Sequence, residues 1–291
     1  MNPKDASFTA YDFLGYLFPG MACLFLIDFG IAAHHPGFQF TEDFFLNRYG
    51  KLDWSTLVPL MVFGYFTGHM VSFFSSLTIE KYAIWAYGHP KNCLFSLSSK
   101  KYFNVTGRTD FIALLFFRLP VFVFMLPVAI FDIIFVDILK LRKNLTIPFD
   151  DLVGKALRDS VDIILKRMGI KNPAQHGKAK DNHFDKLVLH YCLEAAPNHV
   201  YSLRNYVVLY GFLRSSAFLV MLIFWTIVAH EVFWNLSPVN HWRIAIIVGS
   251  AIFAFSVYYN YYKFFYRYHE EMFLAAAAAI GAIGSGNADA S

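Results

Sequence analysis

Apolar residues fall into long blocks along this chain, and polar residues gather in the gaps between them. The blocks cover 11–33, 57–77, 111–139, 206–234 and 242–265, and each reaches the roughly 20 residues that a helix needs to cross a hydrocarbon core. Pro19 and Gly20 predict a kink in the first block. The second is expected to run on as helix through 78–87, with Glu80 and Lys81 marking the water boundary. The stretch 111–139 is different, because basic residues flank it on both sides and it carries Arg118, Asp132 and Asp137, which are costly in lipid. Pro120 and Pro127 offer a place to bend. The pattern predicts a re-entrant or interface-lying hairpin there in preference to a third crossing.

The gap at 140–205 is the one sizeable hydrophilic region, with eleven Lys and Arg before Arg204. Val153, Leu157, Val161, Ile164 and Met168 fall at helical spacing, and so do Phe184, Leu187, Tyr191 and Ala195, which predicts two amphipathic helices. About 65 residues are too few for a generous independent core, so these stripes are expected to bury against another element, lipid headgroups or a second subunit. The fold class that follows is all-α: a polytopic membrane helical bundle of about four transmembrane helices, a re-entrant or interfacial hairpin and a small helical cytoplasmic insert. In chain order this divides into a membrane region 1–139, the insert 140–205, a membrane hairpin 206–268 and a flexible tail 269–291, alanine-rich and then rich in Gly, Ser and Asn.

Composition agrees with lipid as the solvent. Hydrophobic residues make up 57% of the chain, aromatic residues 19% and charged residues 16%, where a soluble domain carries about 25% charged. Distribution of charge sets orientation. The loop 88–110 holds Lys91, Lys100, Lys101 and Arg108 with no acid before Asp110, whereas the link 235–241 has no Lys or Arg. Positive-inside bias therefore places 88–110, the insert and both termini in the cytoplasm. The first ten residues lack a charged region followed by a cleavage site, so the first block is expected to remain as an anchor. Cys23, Cys93 and Cys192 fit no metal or CxxC spacing, which suits a reduced setting.

Ionisable groups inside spans are the first candidates for chemistry. Asp28, His69, Arg118, Arg214 and Glu231 are the candidate pore-lining or intramembrane polar residues. Gly64 and Gly68 form a GxxxG, which strips side chains from one helix face and lets another backbone approach, within the chain or between copies. Lys166, Arg167, Lys171, Lys178 and Lys180 form a candidate partner or ligand surface. Asp151, Asp159, Asp162 and Asp181 interrupt it, which favours a protein partner or anionic lipid over nucleic acid or a nucleotide.

Motifs for catalysis and cofactors are not found. His269-Glu270-Glu271-Met272-Phe273 lacks the second histidine of a zinc helix, Gly281–Gly286 is no phosphate loop, and no Gly-x-Ser-x-Gly elbow occurs. The adjacent His34 and His35 lie near Glu42 and Asp43 and suit only adventitious metal. No catalytic residue, metal or cofactor is expected. The opening Tyr11-Asp12-Phe13-Leu14-Gly15-Tyr16-Leu17-Phe18-Pro19-Gly20 and the exit Phe265-Tyr266-Arg267-Tyr268 resemble bacterial multispan inner-membrane proteins, some encoded in anti-phage defence loci. That resemblance implies a sensor or effector subunit working with a cytosolic partner. Three function classes remain open: a noncatalytic homo-oligomeric docking subunit, an oligomeric ion channel or depolarising pore, and a membrane-embedded enzyme or transporter.

Overall fold

A computed structural model describes residues 12–33, 50, 53–96, 107–138, 147–169, 184–231 and 241–288. Among them the chain is all-α. A π-helical turn at Phe13–Leu17 leads into α1 (Phe18–Ala33), and α2 (Trp54–Ser75) continues through a π segment, Ser76–Glu80, into α3 (Lys81–Tyr87). After α4 (Pro90–Leu94) come α5 (Arg108–Ala113), a π segment (Leu114–Arg118), α6 (Leu119–Phe124), α7 (Leu126–Phe131) and a further π segment (Asp132–Ile138). The insert contributes α8 (Asp151–Arg167) and α9 (Phe184–Ala195), and α10 (Pro197–Ala229) and α11 (His241–Ala288) complete the order.

Among the described residues, four helices are long and apolar enough to cross a membrane: Phe13–Ala32, Trp54–Leu94, Asn198–Ala229 and His241–Gly281. Their apolar residues surround the helix, as a lipid solvent requires. Trp54 and Trp242 are each 78% exposed, and Phe63 and Phe66 are also exposed. The stretch expected to turn back is sharply bent, as a re-entrant or interfacial hairpin requires: Phe111–Phe124 and Leu126–Phe135 meet at 75°. Proline causes the break, because Pro120 and Pro127 remove backbone donors on either side of Met125. Cysteines introduced at Gly107 and Lys155, both exposed, are therefore expected to react from the same face of the membrane in intact cells. Labelling from opposite faces would mean that the bent pair crosses.

The chain divides into two compact units, residues 1–80 with 211–258 and residues 81–210 with 259–291. The first holds α1 against α2. Gly20 faces Gly64 and Gly68 so closely that a Cβ on Gly20 would lie 1.7 Å from the Gly64 carbonyl oxygen. The second holds the insert. Leu157, Val161, Ile164 and Leu165 of α8 join Val188 and Cys192 of α9 and Met272, Phe273, Ala275, Ala276 and Ala279 of α11 in one core.

Two details depart from the sequence reading. The buried stripe of α9 runs through Val188 and Cys192, one position on from Leu187 and Tyr191, which are only partly covered, and on α8 the outer stripe residues Val153 and Met168 are exposed. The cause is that each short helix is covered over only about two turns. The chain beyond 268 was expected to be tail, yet α11 continues to Ala288. Its alanines give the insert helices a surface that they can approach closely, so the segment is held by packing as well as by propensity.

Candidate functional site

Charged side chains in the first unit pair locally. Arg214 of α10 donates to Glu80 and, at 3.2 Å, to Ser72 Oγ. Glu231 accepts from Arg243 Nε at 2.9 Å. Arg214 and Glu231 are 17 positions apart, roughly 25 Å along a helix, so they cannot serve one cavity. His69 is exposed, stacked on Tyr16 at 3.9 Å between centroids and edge-on to Tyr65 at 4.7 Å. Asp28 is half-buried on α1. Gly64 and Gly68 meet residues of the first helix: a Cβ on Gly68 would lie 1.8 Å from the Tyr16 carbonyl oxygen.

In the second unit the bent pair is fastened to α3 on both arms. The Arg118 guanidinium lies 5.5 Å from the Trp85 ring centroid. Asp132, 8% exposed, accepts hydrogen bonds from the Tyr82 and Tyr87 hydroxyls. Glu80, Arg118 and Asp132 all lie in π segments, where the extra residue per turn re-aims a side chain out of helical register. Of the basic surface, Lys166 and Arg167 are exposed at the end of α8, and Arg167 donates to the Tyr191 hydroxyl at 3.0 Å. Lys171, Lys178 and Lys180 lie outside the described residues.

The densest polar cluster is one that sequence reasoning missed. His89, Asp185 and His269 bring three potential ligand atoms within 4.8 Å of one another. Local chemistry places each. Gly88, at φ 90°, ends α3 in the left-handed conformation that glycine tolerates. His89 precedes a proline, which restricts it to the extended backbone it has, and Pro90 opens α4. Asp185 lies in the first turn of α9, where the helix dipole favours a carboxylate. His269 projects from α11 and is 5% exposed.

Lys91, 3% exposed, places its ammonium 3.0 Å from Asp185 Oδ2. His89 Nε2 lies 4.0 Å from the same oxygen. The two imidazoles meet edge to face with centroids 4.9 Å apart. His269 Nδ1 is 2.9 Å from the Phe265 carbonyl oxygen; a carbonyl can only accept, so Nδ1 carries the proton and Nε2 keeps its lone pair. His89 Nδ1, Asp185 Oδ1 and Asn92 Oδ1 are buried with no hydrogen-bond partner among the described residues.

His89 and His269 lie past the blocks 57–77 and 242–265 that the sequence predicts to cross, and Asp185 lies in the insert. Burial, helped by His269, Lys91 and Lys81, pushes His89 down to about 3. Burial pushes His269 down to about 4 against the opposing hydrogen bond to Phe265, with Lys91 adding to the shift. Burial also raises the Asp185 carboxyl, which Lys91 partly offsets. At neutral pH the two imidazoles are therefore neutral. Two imidazoles and a carboxylate form a ligand set for zinc or a similar transition-metal ion.

Cys192 borders this region from α9. It is fully buried, its thiol lies 3.5 Å from the Met272 carbonyl oxygen, and burial pushes its pKa up to about 11. A raised thiol pKa means that reactive thiolate forms only as pH climbs toward that value. Native protein at pH 8 is therefore expected to leave Cys192 unlabelled by a maleimide, and unfolding in dodecyl sulfate to label it fully. Rapid native labelling would contradict the packing of α9 on α11.

No family model, no curated protein and no solved structure matches this chain. Its reading rests on its own residues.

Proposed function

We propose that this chain is a noncatalytic membrane subunit whose helical insert docks a cytosolic protein partner. The observation that carries this reading is the insert itself: α8 and α9 share a core with the far end of α11. That core covers the apolar stripes while Lys155, Lys166, Arg167 and Lys186 stay exposed. The commitment of Arg214 to Glu80 and of Glu231 to Arg243 supports a noncatalytic role, because it spends the charges that a transporter or embedded enzyme would need. The lysine and arginine bias supports both termini inside, and the resemblance of the opening and exit motifs supports a bacterial inner membrane. A role in anti-phage defence extends the reading on the strength of the opening and exit motifs.

Affinity purification of the full chain in mild detergent tests this. A cytosolic protein is expected to co-elute and to be lost when Lys155, Lys166 and Lys186 are replaced by glutamate. A monomer that recovers no partner overturns the docking role. Unchanged phage sensitivity of cells with and without the gene overturns the defensive one.

One observation favours a homo-oligomeric channel as a second reading. His69 stands exposed on an apolar helix face, where a second copy would cover it at a lower cost than lipid. The GxxxG seam offers this reading no support, because its glycines meet α1 of the same chain. Liposome flux that is absent, or unaltered by His69→Ala, removes the channel.

A further inference from the structure

We propose that His89, Asp185 and His269 bind one divalent transition-metal ion, zinc in the first instance, which clips the insert to α11 and to the turn before α4. The site goes beyond the docking role and does not depend on it. Its three ligands come from separate elements that share no local sequence signal: the Gly88-His89-Pro90 turn, the first turn of α9, and α11. An ion there would join segments 96 and 84 positions apart in the chain, counted from His89 to Asp185 and from Asp185 to His269.

Three features of the geometry point to a metal over a plain ion pair. First, the ligand atoms already lie within 4.8 Å of one another. Tetrahedral bonds of about 2.0–2.1 Å need them about 3.4 Å apart, a closure within reach of side-chain rotation. Second, His269 is arranged as metal-bound histidines are: its Nδ1–H is given to the Phe265 carbonyl at 2.9 Å, which fixes the ring and leaves Nε2 as a donor of electrons. Third, Lys91 satisfies only one of the two Asp185 oxygens. Oδ1 is buried without a partner among the described residues, as is His89 Nδ1. Buried polar atoms left open in this way cost stability, and a cation bound to the carboxylate and the imidazoles removes that cost. The three protein ligands leave a fourth position for water.

Lys91 gives the proposal its sharpest consequence. Its ammonium sits against the carboxylate that would hold the ion, so it opposes a second positive charge and weakens binding. If Lys91 is instead the only cation that the cluster accepts, removing it creates no metal affinity.

Full-length protein in detergent, stripped with a chelator, is titrated with zinc alone, and then with cobalt as a spectroscopic probe. Wild type is expected to take up one equivalent, to gain thermal stability with zinc, and to give the visible ligand-field bands of tetrahedral cobalt. Loss of a direct ligand in Asp185→Asn, His89→Gln or His269→Gln is expected to weaken zinc by more than about 100-fold, beyond the range seen for outer-shell partners. Lys91→Met is expected to tighten it. A His34→Ala, His35→Ala double variant serves as the control for adventitious binding and is expected to keep the equivalent. Wild type that binds no zinc overturns the proposal. So does uptake lost only in the His34/His35 variant, or uptake unchanged in Asp185→Asn and His89→Gln.

Discussion

Gly20→Leu is expected to abolish a folded, monodisperse preparation, while Gly30→Ala leaves thermal stability unchanged. A Cβ at position 20 meets backbone, with the Gly64 carbonyl oxygen at 1.7 Å and the Gly68 nitrogen at 2.5 Å, and backbone cannot rotate aside. At Gly30 nothing lies within 4 Å. Overpacking of this kind costs about 3 kcal/mol or more when two helices must separate. The same geometry ranks the seam. Gly68→Ala is expected to be as damaging as Gly20→Ala, because its Cβ meets the Tyr16 carbonyl at 1.8 Å. Gly64→Ala is expected to be milder, because the obstruction is the flexible Met21 side chain. Melting curves followed by size-exclusion in detergent measure all five variants. Equal behaviour of Gly20 and Gly30 variants would refute the packing of α1 on α2.

The second large effect concerns Arg214 and Glu80. Replacing either by leucine leaves the other charge half-buried at the membrane boundary without its partner, and each single change is expected to cost about 1–3 kcal/mol. The double replacement is expected to recover most of that loss. With both charges gone, the Ser72 hydroxyl loses its Arg214 donor but can turn to its own helix backbone. A double-mutant cycle on unfolding in mixed micelles gives the coupling energy directly. Additive losses would show that the two side chains act independently.

Why some of this was legible in the sequence and some was not has a physical explanation. Lipid imposes one requirement along some 20 residues, so the four long helices and the bent pair could be read from local hydropathy. Proline positions marked the bend for the same local reason. Contacts between distant segments leave no such trace. His269 attracted notice through the Glu270-Glu271 that follows it, but its companion histidine lies at 89 and not four residues on. Gly64 and Gly68 announced a close helix approach, yet nothing local named Gly20 and Tyr16 as the surfaces they meet. The alanines of 275–279 read as a helix about to end, because a small side chain buries little by itself. Their value lies in what they admit, since Leu157, Ile164 and Val188 share a core with them.

The discontinuous make-up of both units bears on how the protein is made. Each unit needs residues from α11, so neither can close until that helix has been made. Glu80 reaches the membrane boundary 134 positions ahead of Arg214. At 5–20 residues per second that is a wait of about 7–27 s, during which an acidic group sits at the membrane without its counter-ion. Water at the boundary hydrates it until α10 arrives, so the pairing with Arg214 is a late step in biogenesis.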